Sequence, residues 1–263
     1  MKMSNMTDMS ESNEKPVILI CNDDGIFSPG IRALAEVADE FGEAVIIAPD
    51  RQQSAVGHAV TVNTPLRSRS FQIDGRFNGQ AVTGTPADSV KLAHDQLMQR
   101  KPDLVVSGIN HGSNAGINIL YSGTVSAATE GTILGYPSIA VSCTDYDEEA
   151  DLTGAKDAAR KVIGYVLSEG LPKGVTLNLN VPAGPLKGIK WARQANSRYV
   201  EEFEGRVDPN NRSYYWMTGK LELLDEGEDL DVNVLEKGYA SLTPIQYDMT
   251  AYNLLKQKED IEL

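Results

Sequence analysis

Two hydrophobic periods alternate along this chain, and each change of period marks an element. Val17-Ile18-Leu19-Ile20-Cys21 is an unbroken apolar run, the pattern of a strand buried on both faces of a sheet. It ends abruptly in Asn22-Asp23-Asp24-Gly25. Ile31, Leu34, Ala35, Ala38 and Phe41 then recur at helical spacing, opened by Ser28-Pro29 as N-cap and first-turn proline and closed by Gly42. Residues 44–48 form a second short apolar run, stopped by Pro49. Strand, acidic turn, helix and strand in this order predict a right-handed βαβ crossover.

Residues 50–58 are polar and aperiodic, a loop at the end of the second strand. Between 60 and 80 the pattern turns to short alternations, Thr61-Val62-Asn63 and Ser70-Phe71-Gln72-Ile73, with Asp74-Gly75 as a turn. That predicts a hairpin inserted into the α/β order. Thr85-Pro86-Ala87-Asp88 is a helix start, with Val90, Ala93 and Leu97 on the buried side. A strand over 103–107 runs into a glycine-rich loop over 108–116. After it, Ala127, Ala128 and Gly131 predict a helix of small side chains, opened by Ser122 or Thr124. A strand over 137–142, an amphipathic helix over 151–168 and a strand over 175–181 complete the α/β pattern. From Gly184 onward the chain carries both tryptophans, Trp191 and Trp216, among hairpin-like runs. These aromatics suit an interface or packing on the sheet. A helix over 229–236, a strand over 238–244 and a closing helix over 248–258 end the reading. The expected fold is a Rossmann-like three-layer α/β sandwich with a mostly parallel sheet, plus a C-terminal hairpin-rich oligomerisation region. Residues 16–184 form the core, 185–263 an extension of the same unit, and 1–15 a polar, disordered leader.

Composition narrows the function classes. A chain of 263 residues suits one large α/β domain with additions, and no apolar stretch approaches a membrane span. The leader has no apolar signal core. Cys21 and Cys143 both fall in apolar runs, which suits buried thiols in a reducing cytoplasm. With 24 basic and 37 acidic residues the net charge is −13, which argues against tracking long nucleic-acid backbones. Any attraction for phosphate has to be local, through a metal, helix N-termini or both.

Three loops, 22–28, 50–58 and 108–124, are expected to meet at the carboxyl edge of the sheet, where ligands bind in open parallel sheets. Two adjacent carboxylates at a buried strand end are costly unless something there needs negative charge. A hard divalent cation would neutralise them, and the alternative is a solvated turn capping the next helix. Few carboxylates with amide and hydroxyl oxygens are the donor chemistry of magnesium or manganese. The 108–116 glycines let a backbone approach a ligand closely, or simply make a structural turn. His58 and His111 lie where either could donate to a phosphate or move a proton, and His94 sits mid-helix. Tyr121 and Tyr199 suit packing better than base stacking.

Asn22-Asp23-Asp24-Gly25, the Ser54 loop, the S-G-x-N-x-G-x-N run over 107–114 and Tyr121-Ser122-Gly123-Thr124-Val125 closely resemble the SurE (survival protein E) family. The likeness extends through Glu130-Gly131, the run over 137–142 and Thr243-Pro244. It implies a divalent-metal-dependent phosphatase of nucleoside monophosphates, a 5′-nucleotidase also acting on 3′-phosphates and short polyphosphate. It assigns one Mg or Mn ion to Asp23, Asp24, Ser54 and Asn110. Gly108, Gly112, Asn114, Ser122, Gly123 and Thr124 match positions near the phosphate. The catalytic set it implies is Asp23, Asp24, Asn114, Ser122 and Thr124, acting by attack of a metal-activated water. An aspartyl-phosphate formed on Asp23 is the rival route. A homodimer or homotetramer is implied as well.

Overall fold

The computed structural model describes residues 14–73 and 75–257. Residues 1–13 of the expected leader, Asp74 of the expected turn and Lys258 of the closing helix lie outside them. In chain order the elements are β1 (Val17–Cys21), α1 (Pro29–Ala38), β2 (Glu43–Pro49), β3 (Ser68–Ile73), β4 (Phe77–Val82), α2 (Pro86–Leu92) and β5 (Leu104–His111). There follow α3 (Gly123–Ile133), β6 (Ser138–Cys143), α4 (Thr153–Glu169), β7 (Val175–Val181), β8 (Ile189–Trp191), β9 (Ser197–Val200) and β10 (Phe203–Val207). Then come β11 (Ser213–Met217), β12 (Lys220–Leu223), α5 (Asp231–Glu236), β13 (Ala240–Gln246) and α6 (Tyr252–Gln257).

Among the described residues, one sheet has the order β3-β4-β2-β1-β5-β6-β7-β13-β8. The six strands from β4 to β7 run parallel. β3 is antiparallel to β4 at one edge, and β13 is antiparallel to β7 near the other. α1 and α4 pack on one face, α2 and α3 on the other, so the expected mostly parallel three-layer sandwich is the architecture adopted. β1 is buried at all five positions, as its apolar run requires. The strand order reverses between β1 and β5, and at such a switch point the loops part to leave a crevice at the carboxyl ends.

Local capping sets the entry of each helix near that edge. Ser28 caps α1 ahead of Pro29, and Thr85 with Asp88 closes a reciprocal capping box on α2. Ser122, not Thr124, opens α3: its Oγ accepts from the Val125 N–H at 3.0 Å.

Three expectations are corrected. The 61–63 alternation forms no strand. Asp88 accepts from both the backbone and hydroxyl of Thr61, at 2.9 and 2.6 Å, and that local bonding replaces a ladder. The hairpin is made by β3 and β4 alone, and it joins the main sheet beside β2. The 108–116 glycine loop begins later than expected, because β5 continues through Gly108 to His111 with an irregular register against β6 between Ser107 and Asn110. The closing helix is shorter, because Asp248 binds the Thr250 backbone and hydroxyl in a turn before α6 starts.

Candidate active site

The three predicted loops do converge. They line one cleft of about 650 Å³ at the carboxyl end of β1 and β5, which includes Asp23, Asp24, Arg51, Gln52, Ser54, Asn110, His111, Asn114 and Ser122. Each loop is placed by backbone bonds as well as by its strand. The Asn22 amide donates to Gly25 O at 3.0 Å and to Ser28 Oγ at 2.7 Å, which folds the acidic turn onto the start of α1. The Gln53 N–H donates to Asp23 O at 2.7 Å, so the second loop is hung directly on the acidic residue.

Sterics explain the glycines. A Cβ at Gly30 would lie 1.9 Å from Ile109 O, and one at Gly108 would lie 2.2 Å from Val141 O. Gly108 and Gly112 also have φ of +132° and +109°, where a side chain is strained. At Gly112 the space of a Cβ is already filled by the Tyr146 ring, 2.5 Å away. Among the residues that the resemblance matches to the phosphate, Gly112, Asn114 and Ser122 border the cleft, whereas Gly108, Gly123 and Thr124 do not line it.

The acidic pair is electrostatically unsettled. Asp23 is buried, accepts a hydrogen bond from the Thr124 hydroxyl, and is pushed up to about 6, chiefly by burial and also by Asp24. Burial likewise raises Asp24, against the pull of nearby His111, and Glu148 at the cleft adds to the rise. Asp24 Oδ2 and both ring nitrogens of His111 are buried without a hydrogen-bond partner. Such groups point to a missing ligand or water. Among the described residues no three His, Cys, Asp or Glu side chains are grouped as metal donors. A cation here would therefore be held by two carboxylates and neutral oxygens. Asn110 suits that role, since its Nδ2 is committed to Gly112 O at 2.7 Å and its oxygen remains. Ser54 borders the same cleft. The residues present fit a hard divalent ion.

Several contributors were not anticipated. Asn178 and Asn180, two positions apart on β7, grip the backbone of Asn114: Asn180 Oδ1 accepts from its N–H and Asn178 Nδ2 donates to its carbonyl, each at 2.8 Å. The Asn114 side chain donates to Ser142 Oγ at 2.8 Å. Two asparagines continuing the period-two polar positions of β7 after Thr176 were the available signal. Buried Asp231 accepts from the N–H groups of Gly116, Ala195 and Val232, which fastens the turn after β5 to the C-terminal region. Tyr199 donates its hydroxyl to Asn118 Oδ1 at 2.9 Å while bordering the cleft, a packing contact at its rim. His94 bonds Tyr136 away from the site.

Comparison with known proteins gives one answer. The family model described as survival protein SurE matches residues 18–201. The 5′-nucleotidase SurE of Cytophaga hutchinsonii is 51% identical over 92% of this chain and 95% of its own. That of Christiangramia forsetii is 47% identical over 93% of this chain and 96% of its own. The crystal structure of the SurE protein from Aquifex aeolicus superposes with a TM-score of 0.80 at 41% identity, covering 93% of this chain and 99% of that one. The motifs, the fold and the extent of these matches agree, and the chain belongs to the survival protein SurE family.

Proposed function

We propose that this protein is a divalent-metal-dependent 5′-nucleotidase, hydrolysing nucleoside monophosphates to nucleoside and phosphate. The observation that carries the reading is the meeting, at one cleft, of the Asp23-Asp24 carboxylates with the N-terminal end of α3, whose cap Ser122 borders the cleft and whose Gly123 and Thr124 lie against Asp23. The carboxylates suit a cation. The helix start, with its free N–H groups, suits an anion. A phosphate monoester bound to a metal ion satisfies both.

Asp23, Asp24, Ser54 and Asn110 would hold one Mg or Mn ion, which when bound neutralises phosphate charge and favours attack by water. The rest falls to the chain's own residues. Thr124 holds Asp23 through its hydroxyl and Ser122 fixes the first turn of α3, so neither group has to reorganise when substrate binds. Loose phosphoryl-transfer transition states need positioning and charge stabilisation more than covalent assistance. An oriented carboxylate of the acidic pair accepts the proton of the attacking water. His111 lies beside Asp24 in the same wall.

The same site admits 3′-monophosphates and short polyphosphate. The assembly is a dimer or tetramer of this chain, supported by the β10–β11 hairpin, which stands exposed at every position and carries Phe203, Tyr215 and Trp216. The cellular site is the cytoplasm, supported by two buried free thiols. No described helix is long and apolar enough to cross a membrane. The test is phosphate release from 5′- and 3′-monophosphates, sugar phosphates and tripolyphosphate, with Mg²⁺, Mn²⁺ or EDTA. Release from AMP or GMP that needs the metal is the expected result. Release from sugar phosphates alone would replace the substrate assignment.

A further inference from the structure

We infer that His58 and Glu130 form a clamp that positions the Ser54 loop, making both of them positioning residues for the metal site. The inference rests on the proposed role of Ser54 as a metal ligand.

Glu130 lies within α3 at 3% exposure, on a helix otherwise built of small side chains. A buried carboxylate is strongly unfavourable unless paired. Here it has two partners from two other segments. His58 Nε2 meets its Oε2 at 2.8 Å, and Lys91 of α2 donates to Oε1 at 2.9 Å. Burial works against the ionised form, yet these two partners hold the carboxyl below its ordinary range. His58 is thus joined to the helix whose N-cap, Ser122, borders the cleft and whose Thr124 holds Asp23. It borders a neighbouring groove with Ile119, Val125 and Thr129, outside the cleft itself.

The loop needs such a clamp. Ser54 and Ala55 are exposed, so no apolar packing holds them. Ala55 and Gly57 both have φ near +57°, at 56° and 57°, a conformation that must be imposed from outside for alanine. The imposed anchors are the Gln53 N–H on Asp23 O at 2.7 Å, the Gly57 N–H on Tyr121 O at 3.0 Å, and His58 on Glu130. The first fixes the start of the loop to the acidic turn. The second fixes Gly57 to the residue before the cap of α3, and the third fixes His58 to α3 itself. Ser54 hangs between them, so its distance from Asp23 depends on the end that His58 holds.

The experiment is calorimetric titration of the metal-free, full-length protein with Mn²⁺, alongside AMP hydrolysis at varied Mn²⁺. His58→Ala is expected to raise the Mn²⁺ dissociation constant about tenfold or more, the usual consequence of losing a partner that orients a ligand. Its kcat at saturating Mn²⁺ stays at the wild-type value. His58→Gln, whose amide nitrogen still donates to Glu130, restores most of the affinity. Glu130→Gln, which keeps the volume of the buried side chain, weakens Mn²⁺ binding in the same direction. Unchanged Mn²⁺ affinity in folded His58→Ala would overturn the clamp. So would a fall in kcat at unchanged affinity, which would put His58 on the substrate. Absence of Mn²⁺ binding by the wild-type protein would overturn the metal reading itself, a result separable from the other two.

Discussion

Gly123 lies flush against Asp23: a Cβ at Gly123 would sit 2.7 Å from Asp23 Cβ and 2.9 Å from Asp23 Oδ2. The first residue of α3 therefore has to be glycine for a buried carboxylate to reach the end of that helix. Real Cβ contacts do not occur at such distances, and Asp23 is held from its other side by Thr124. Gly123→Ala is predicted to displace Asp23 and to lower kcat/KM for AMP by roughly 10²-fold, the scale of a small misplacement in an active site. Circular dichroism should show an intact fold. Wild-type kcat/KM in that variant would show that the Asp23 position is not critical.

Asp23→Asn should separate stability from function. The Asp23 carboxyl is raised from 3.8 to about 6, so the native state holds its proton more tightly than the unfolded chain. The sign follows: metal-free wild-type protein loses stability as pH rises through that interval, and the loss is complete above it. Asparagine does not titrate and still accepts from Thr124. In EDTA, Asp23→Asn is predicted to be more stable than wild type at pH 8, by up to roughly 3 kcal/mol, with the difference vanishing at about pH 3, below the unfolded value of 3.8. Urea unfolding at the two pH values measures it. Turnover is predicted to be abolished.

Much of this site is written locally, and local features read well from sequence. The buried β1 run, the Ser28-Pro29 start of α1 and the Thr85–Asp88 capping box each depend on residues a few positions apart. The acidic turn was readable because carboxylates at the end of an apolar strand conflict with burial. What stayed hidden joins distant segments. Glu130 meets His58 across 72 residues, and Asn114 is gripped from β7, 64 and 66 residues away. The 61–63 alternation misled because a two-residue period is also produced by a loop whose polar groups bond to a neighbouring helix start. The glycines of the 108–116 run suited either a close approach to a ligand or a structural turn, and only the structure shows the distant packing, against Val141 and Tyr146, that excludes a side chain at Gly108 and Gly112.

Asp231 is fully buried and accepts from three backbone N–H groups at 2.8, 3.0 and 2.9 Å. Asp231→Ala leaves three donors without a partner, of which the Gly116 and Ala195 N–H groups are buried, at about 1–3 kcal/mol for each buried one. The variant is predicted to lose about 3 kcal/mol or more in urea unfolding. It should also raise KM, because the 116–118 turn borders the cleft through Asn118. Asp231→Asn should retain part of both. A loss below 1 kcal/mol would contradict the rivet.

The β10–β11 hairpin supplies a surface test. Phe203 and Trp216 are exposed at 60% and 58%, so replacing them with arginine in a monomer would change stability by only about 0.5 kcal/mol. If a second copy covers the hairpin, Phe203→Arg with Trp216→Arg lowers the mass seen by light scattering to that of a smaller assembly. An unchanged mass would remove the hairpin from the interface.

The most direct test of the central claim follows AMP hydrolysis through one cycle of metal removal and return, in wild-type protein and in Asp24→Ala. The acidic pair as a metal-holding catalytic centre predicts that wild-type activity disappears in EDTA and returns with Mn²⁺. The variant, folded by circular dichroism, should release no phosphate in either condition. Full activity of Asp24→Ala, or wild-type activity that survives EDTA, would contradict it.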